Sequence, residues 1–149
     1  DNSIYIVINR HVSYDFAEVS QILKPGGLFI SHQVGGRNNY ALSMRVLPAS
    51  PPEREAFDLQ TETTALRNKG FDVLLAKEAF PKQRFLDIGA LVYFAKIIEW
   101  EFVGFSVEGS LPQLFALQEE LEKTGFIVSD EHRFVFVARN GGKGEAAWS

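Results

Sequence analysis

The sequence predicts an α/β fold: a mostly parallel sheet that ends in an antiparallel hairpin, with helices on both faces. Three observations predict it. Ile4-Tyr5-Ile6-Val7-Ile8 is an apolar, β-branched run of the kind that forms a strand buried on both faces. A helical segment ending at Leu23 then meets Pro25, which cannot continue a helix, and Gly26-Gly27, which permit a sharp turn into the apolar stretch Leu28–His32. Strand, helix, turn and strand make a βαβ unit, whose two strands are parallel and joined by a right-handed crossover. Finally, Leu66–Val73 and Leu121–Val128 look alike, each passing from helix to strand through Gly-Phe, so one kind of joint occurs twice.

The remaining elements follow in chain order. Ser13 is placed to cap the first helix, with Asp15 in its first turn, and Phe16, Val19, Ile22 and Leu23 fall on one helical face. Asn38–Val46 reads as a short amphipathic helix, and Pro48, Pro51 and Pro52 exclude regular structure after it. Thr61–Lys69 is helical and stops at Gly70, and Asp72–Phe80 is a strand. Asp87 caps a helix in which Ile88, Leu91, Val92, Ala95 and Ile98 recur at helical spacing. Leu111–Thr124 is a further helix leading to strand Ile127–Ser129. The last strand, Arg133–Arg139, is expected to pair with it across Asp130-Glu131-His132. Gly141–Ser149 is expected to be a loose tail, with Trp148 able to dock.

Composition narrows the class. The 149 residues suffice for one compact domain, and a hydrophobic share of 46% argues against disorder. A formal charge of −4 argues against a generally basic, nucleic-acid-binding surface. The absence of cysteine removes disulfides, thiolate metal sites and cysteine nucleophiles, and suits a cytoplasmic setting. No apolar run approaches the ~18 residues of a membrane-spanning helix.

Ile4–His11, the helix after it, and Leu23-Lys24-Pro25-Gly26-Gly27-Leu28-Phe29 followed by Gln33-Val34-Gly35-Gly36 resemble a known pattern. It is similar to strand 4, helix D and strand 5 of class I S-adenosylmethionine-dependent methyltransferases, and the likeness covers nearly the whole chain. The resemblance implies a partial Rossmann-like sheet in the family order 4-5-7-6, with the last strand antiparallel. Asp72–Phe80 would be strand 6 and Arg133–Arg139 strand 7, in one domain over residues 1–140. An insertion at about 81–107 would shape the substrate pocket. S-adenosylmethionine is the implied cofactor, and the implied reaction is methyl transfer to an unidentified small-molecule acceptor.

In this family a glycine-rich loop and an acidic residue hold the cofactor, and the sequence shows neither in the expected place. Leu86-Asp87-Ile88-Gly89-Ala90 imitates the start of such a loop, but it has one glycine and runs straight into a helix. The expectation is therefore that an N-terminal portion carrying the loop belongs before Asp1, and that this chain alone binds the cofactor weakly or not at all and is inactive. Ile4–Ile8 would then be an unpaired apolar edge, which favours a homodimer or association with that N-terminal half.

Asn9, Arg10 and His11 end the first strand, on the edge where open α/β sheets bind ligands. By resemblance, Asn9 and Arg10 are candidate cofactor contacts and His11 a candidate base for the acceptor. Gln33, Gly35 and Asn38, on the same edge, and Arg84, an anion binder, are candidate substrate contacts. Arg37 is a candidate of the same kind as Arg84. His32 reads as a core residue and His132 as a turn residue, and no histidine has a partner at metal-ligand spacing. Tyr93, Phe94, Trp100, Phe102 and Phe105 either wall an acceptor pocket or pack a helix. Two other readings are a non-catalytic binding module that keeps this fold and another Rossmann-like nucleotide enzyme such as a reductase. The glycine-rich loop, sought upstream of Asp1, separates the enzyme from the module.

Overall fold

A computed structural model describes residues 2–142; residues 143–149, which hold most of the expected tail and Trp148, lie outside the described residues. In chain order the elements are β1 (Ile4–Arg10), α1 (Phe16–Ile22), β2 (Leu23–Val34), α2 (Tyr40–Val46), α3 (Leu59–Asn68) and β3 (Phe71–Ala79). They continue with β4 (Lys82–Phe85), α4 (Ile88–Ile97), α5 (Leu111–Thr124), β5 (Ile127–Asp130) and β6 (Arg133–Asn140). The described chain divides into two compact units, one of residues 2–35, 56–79 and 133–142, the other of residues 36–55 and 80–132.

The first unit is a four-stranded sheet in the order β1-β2-β6-β3. β1 and β2 are parallel, while β6 runs antiparallel to both β2 and β3, so three strands share one direction. Side chains alternate across the pleat. Phe29, Phe134, Phe136 and Ala138 point to one face and pack with Val19 of α1 and Leu66 of α3 in one core. Both helices of this unit thus serve a single face, against the expectation of helices on both. On the opposite face Ile8, Ile30, Val137 and Leu75 stand in one row across the four strands, and Ile8 remains 75% exposed.

Two local expectations change. Asp15, not Ser13, caps α1: its Oδ1 accepts from the backbone N–H groups of Ala17 (2.7 Å) and Glu18 (3.0 Å). A carboxylate there satisfies two orphan donors and meets the helix dipole, which a serine two residues earlier cannot do. The Pro25-Gly26-Gly27 turn lies within β2 as a bulge. Ile4 pairs with Leu23 and Ile6 already with Leu28, so the turn is the extra backbone on one strand. Gly26 has φ +80°, and a Cβ on Gly27 would lie 2.9 Å from the Lys24 carbonyl oxygen and 3.2 Å from that of Ile4. The glycines therefore let α1 feed directly into the sheet.

The second unit contains α2, α4, α5 and a two-stranded antiparallel sheet of β4 and β5. Its core joins Leu42, Val46, Phe85, Leu91, Phe102 and Ile127. Asp87 caps α4 by accepting from Ala90 N–H at 2.7 Å, as its position predicts. The expected hairpin between the last two strands is not formed. β5 pairs with β4, from Lys82 opposite Asp130 to Phe85 opposite Ile127, while β6 lies between β2 and β3. A short link suggests a hairpin only when both strands share a sheet, and here the chain changes unit at His132.

Candidate functional site

In the first unit, the carboxyl ends of β1 and β2 gather most of the expected polar residues. Strand alternation sends Asn9 and Arg10 to opposite faces of the sheet. On the helix side, Gln33 Nε2 donates to Asn9 Oδ1 (2.6 Å), to Ser31 Oγ (2.8 Å) and to the Val12 carbonyl (3.2 Å). Gln33 and Ser31 are buried, so this is an internal network that sets the orientation of Asn9. Gly35 follows, buried, at the end of β2.

Beside that network stands a pair not anticipated from sequence. The Tyr14 hydroxyl donates to the Glu62 carboxylate of α3, and its ring packs edge-on against Phe29 and Phe136 at 5.2 and 6.2 Å. Burial, reinforced by the hydrogen bond and charge of Glu62, pushes the Tyr14 hydroxyl well above the ordinary phenol range. Burial also raises the Glu62 carboxyl, and nearby Asp58 adds to the shift. The two residues are far apart in sequence, and their only sequence signal is a tyrosine just before α1 and an acid in the first turn of α3.

On the open face, Arg10 lies opposite His32 in the parallel register, and the His11 and His32 rings are 5.0 Å apart. His11 has a left-handed backbone (φ +56°), held by donation from its N–H to the His32 carbonyl at 3.0 Å. Burial, then the charges of His32, Arg10 and Arg133, lower its pKa from the ordinary histidine value. A lowered pKa favours the neutral form of the imidazole. His32 is half-buried at the edge of this face, not a core residue.

The other candidates lie in the second unit. Asn38 is buried, with its Nδ2 donating to Glu101 Oε1 (2.7 Å) and its Oδ1 accepting from His132 N–H (2.9 Å). Asn39 donates to the other Glu101 oxygen at 2.7 Å, and Arg54 donates to the carbonyls of Asn38 and Glu101, both at 2.7 Å. Glu101, only 8% exposed, is thus held by two amides, which satisfies a buried carboxylate. His132 is fully buried, accepts from Arg37 N–H and stacks on Phe80. Arg84 is exposed and stands over the Phe126 ring, 4.5 Å from its centre. Phe94 and Phe102 pack together, while Tyr93 and Trp100 are each 68% exposed. A cavity of about 290 Å³ lies among Ile88, Val92, Leu114 and Phe115, with Gln118 its one polar wall.

No group of three His, Asp or Glu side chains gathers to hold a metal among the described residues. No helix among them is long and apolar enough to cross a membrane.

No family model matches the chain, and no curated protein matches it. Solved structures do. A candidate methyltransferase of Bacillus halodurans C-125 aligns over 94% of this chain and 65% of its own, at 14% identity and a TM-score of 0.54. A candidate sarcosine dimethylglycine methyltransferase of Galdieria sulphuraria aligns over 94% of this chain and 54% of its own, at 15% identity and a TM-score of 0.44. The phosphoethanolamine N-methyltransferase 2 of Haemonchus contortus, solved with S-adenosyl-L-methionine, aligns over 93% of this chain and 33% of its own, at 17% identity and a TM-score of 0.40. The chain therefore shares its fold with the Bacillus halodurans protein and spans less than two thirds of that protein's length.

Proposed function

We propose that the protein to which this chain belongs transfers a methyl group from S-adenosylmethionine to a small-molecule acceptor, and that this chain supplies the acceptor side of the site. The observation that carries the reading is the fold shared over 94% of the chain with the Bacillus halodurans protein. The Leu23–Phe29 turn agrees with it. In family terms β1, β2, β6 and β3 are read as strands 4, 5, 7 and 6. Residues at about 81–107 are read as an insertion between strands 6 and 7 of that order.

The chain's own residues do not build a complete cofactor site. The family's glycine-rich loop and ribose-binding acid have no counterpart in the sequence, and no described strand pairs with the outer edge of β1. We therefore read this chain alone as inactive. What the chain offers is a polar edge. Asn9, fixed by Gln33, presents a polar contact on the helix side. On the open face His11 is placed to accept a proton from the acceptor, with Arg10 beside it. Asn38 acts indirectly, by holding Glu101, and Arg84 is a surface contact at most. Methyl transfer depends chiefly on in-line positioning, so this sparse polar set is sufficient chemistry.

Calorimetric titration of S-adenosylhomocysteine tests the reading, with this chain and an upstream-extended protein in parallel. Binding by the longer protein alone is expected. Binding by both overturns the reading that the upstream portion carries the cofactor site. Binding by neither favours the alternative, a non-catalytic module that presents exposed Tyr93 and Trp100 to a partner.

A further inference from the structure

The open face of the four-stranded sheet is not uniform. Its middle row, Ile8, Ile30, Val137 and Leu75, is apolar. The row toward the carboxyl ends of β1 and β2 begins with Arg10 and His32 and ends, beyond Val135, at Lys77. His11 joins this row through its ring contact with His32 at 5.0 Å. Arg133 of β6 is close enough for its charge to act on His11. At the opposite end of the same face the charges are balanced, with Arg139 paired to Asp72 at 2.9 Å.

Among the described residues, the side chains of Arg10, His11 and His32 meet no carboxylate and make no hydrogen bond. Three groups that carry or can accept positive charge are thus assembled, and one is fixed by a backbone conformation that non-glycine residues seldom adopt. Gathering like charges is unfavourable in an empty site, and an anion reverses the sign of that interaction. A guanidinium supplies a planar fork of donors, and each imidazole supplies one donor when neutral and two when protonated.

We propose that Arg10, His11 and His32 form a binding site for an oxyanion, a carboxylate or phosphate group carried by the small-molecule acceptor. The identification of the anion with the acceptor rests on the methyltransferase reading; the binding of the anion does not. The site assigns Arg10 to the acceptor, because Asn9, the other expected cofactor contact, faces away from it across the sheet. It also gives His32 a role that its sequence position does not announce. The apolar row next to the cluster would lie along the rest of such an acceptor.

The test follows the imidazole resonances of this chain by NMR as inorganic phosphate or acetate replaces chloride at constant ionic strength. The groups facing His11 are Arg10 on its own strand, His32 on β2 and Arg133 on β6. A saturable response of His11 and His32 is expected, with the apparent pKa of His11 rising by about half a unit or more. His132, buried in the second unit, is the internal reference and stays unmoved. Arg10→Ala weakens the response about tenfold or more. Saturation by phosphate alone assigns a phosphate group, and saturation by acetate a carboxylate. A non-saturating drift, an equal shift of His132, or an unchanged response in Arg10→Ala overturns the proposal. Should Arg10→Ala not fold, Arg10→Gln and His32→Gln carry the same comparison. No cofactor is present, so failure here leaves the S-adenosylhomocysteine result standing on its own.

Discussion

Tyr14 and Glu62 show how one pair of side chains couples core packing to pH. The ring of Tyr14 is part of the aromatic core, and its hydroxyl reaches a carboxylate that burial has already made harder to ionise. A carboxyl whose pKa in the folded state lies above its unfolded value stabilises the fold fully below the unfolded value. That contribution is lost as pH rises through the folded value. Glu62→Gln removes the titration and keeps an acceptor for the hydroxyl. Its thermal midpoint should therefore gain on the parent as pH rises from the acid range to neutrality. A midpoint that falls further behind the parent over that range would count against the assignment. Tyr14→Phe leaves the carboxylate without its donor and should cost about 1–3 kcal/mol at neutral pH. The left-handed His11 belongs to this scale as well, since φ +56° is a property of one residue that no periodicity announces.

At the level of elements, the joint between α1 and β2 carries the most information. Helix, turn and strand are all announced by Leu23–Leu28, yet the turn is taken up as a bulge in β2. Gly27 is the tightest point, because any Cβ there would press on backbone oxygens of both Lys24 and Ile4, which cannot move as a flexible side chain would. Gly27→Ala should destabilise the protein by roughly 1–3 kcal/mol and loosen β1 first. Hydrogen exchange reads this as faster exchange in Ile6–Asn9 than in β6, and uniform exchange across both strands would exclude it. β4 is the opposite case. Lys82–Phe85 is four residues long and mostly polar, so no alternation identifies it, and it becomes a strand only because β5 supplies a partner.

For the molecule as a whole, the chain maintains two cores. One is built by α1, α3 and the four-stranded sheet, the other by α2, α4, α5 and the β4–β5 pair. The first unit leaves β1 as an edge with Ile4, Ile6 and Ile8 exposed. An apolar edge of this kind is a template for pairing, so the isolated chain should self-associate with rising concentration. Ile8→Lys should shift sedimentation toward the monomer, with stability within about 0.5 kcal/mol of the parent. A monomer at every concentration would show that the edge is not used between copies.

The βαβ start, the helix-to-strand joints at Gly70 and Gly125, and the Asp87 cap were all legible in the sequence, because periodicity, glycine and capping residues act within a few positions of one another. The polar edge Asn9-Arg10-His11 was legible for the same reason: it ends a strand. The partner of β5 was not legible: it pairs with β4 and not with β6, a choice made by contacts between residues distant in the chain. Nor was the sorting of the site residues legible. Gln33 turned inward to Asn9, Asn38 turned to Glu101, and His32 turned outward to His11. Local sequence determined which elements form and where polar side chains can emerge. Only the tertiary structure decided which of those side chains meet, because hydrogen bonds and charge interactions act over a few ångströms of space, however many residues lie between the partners.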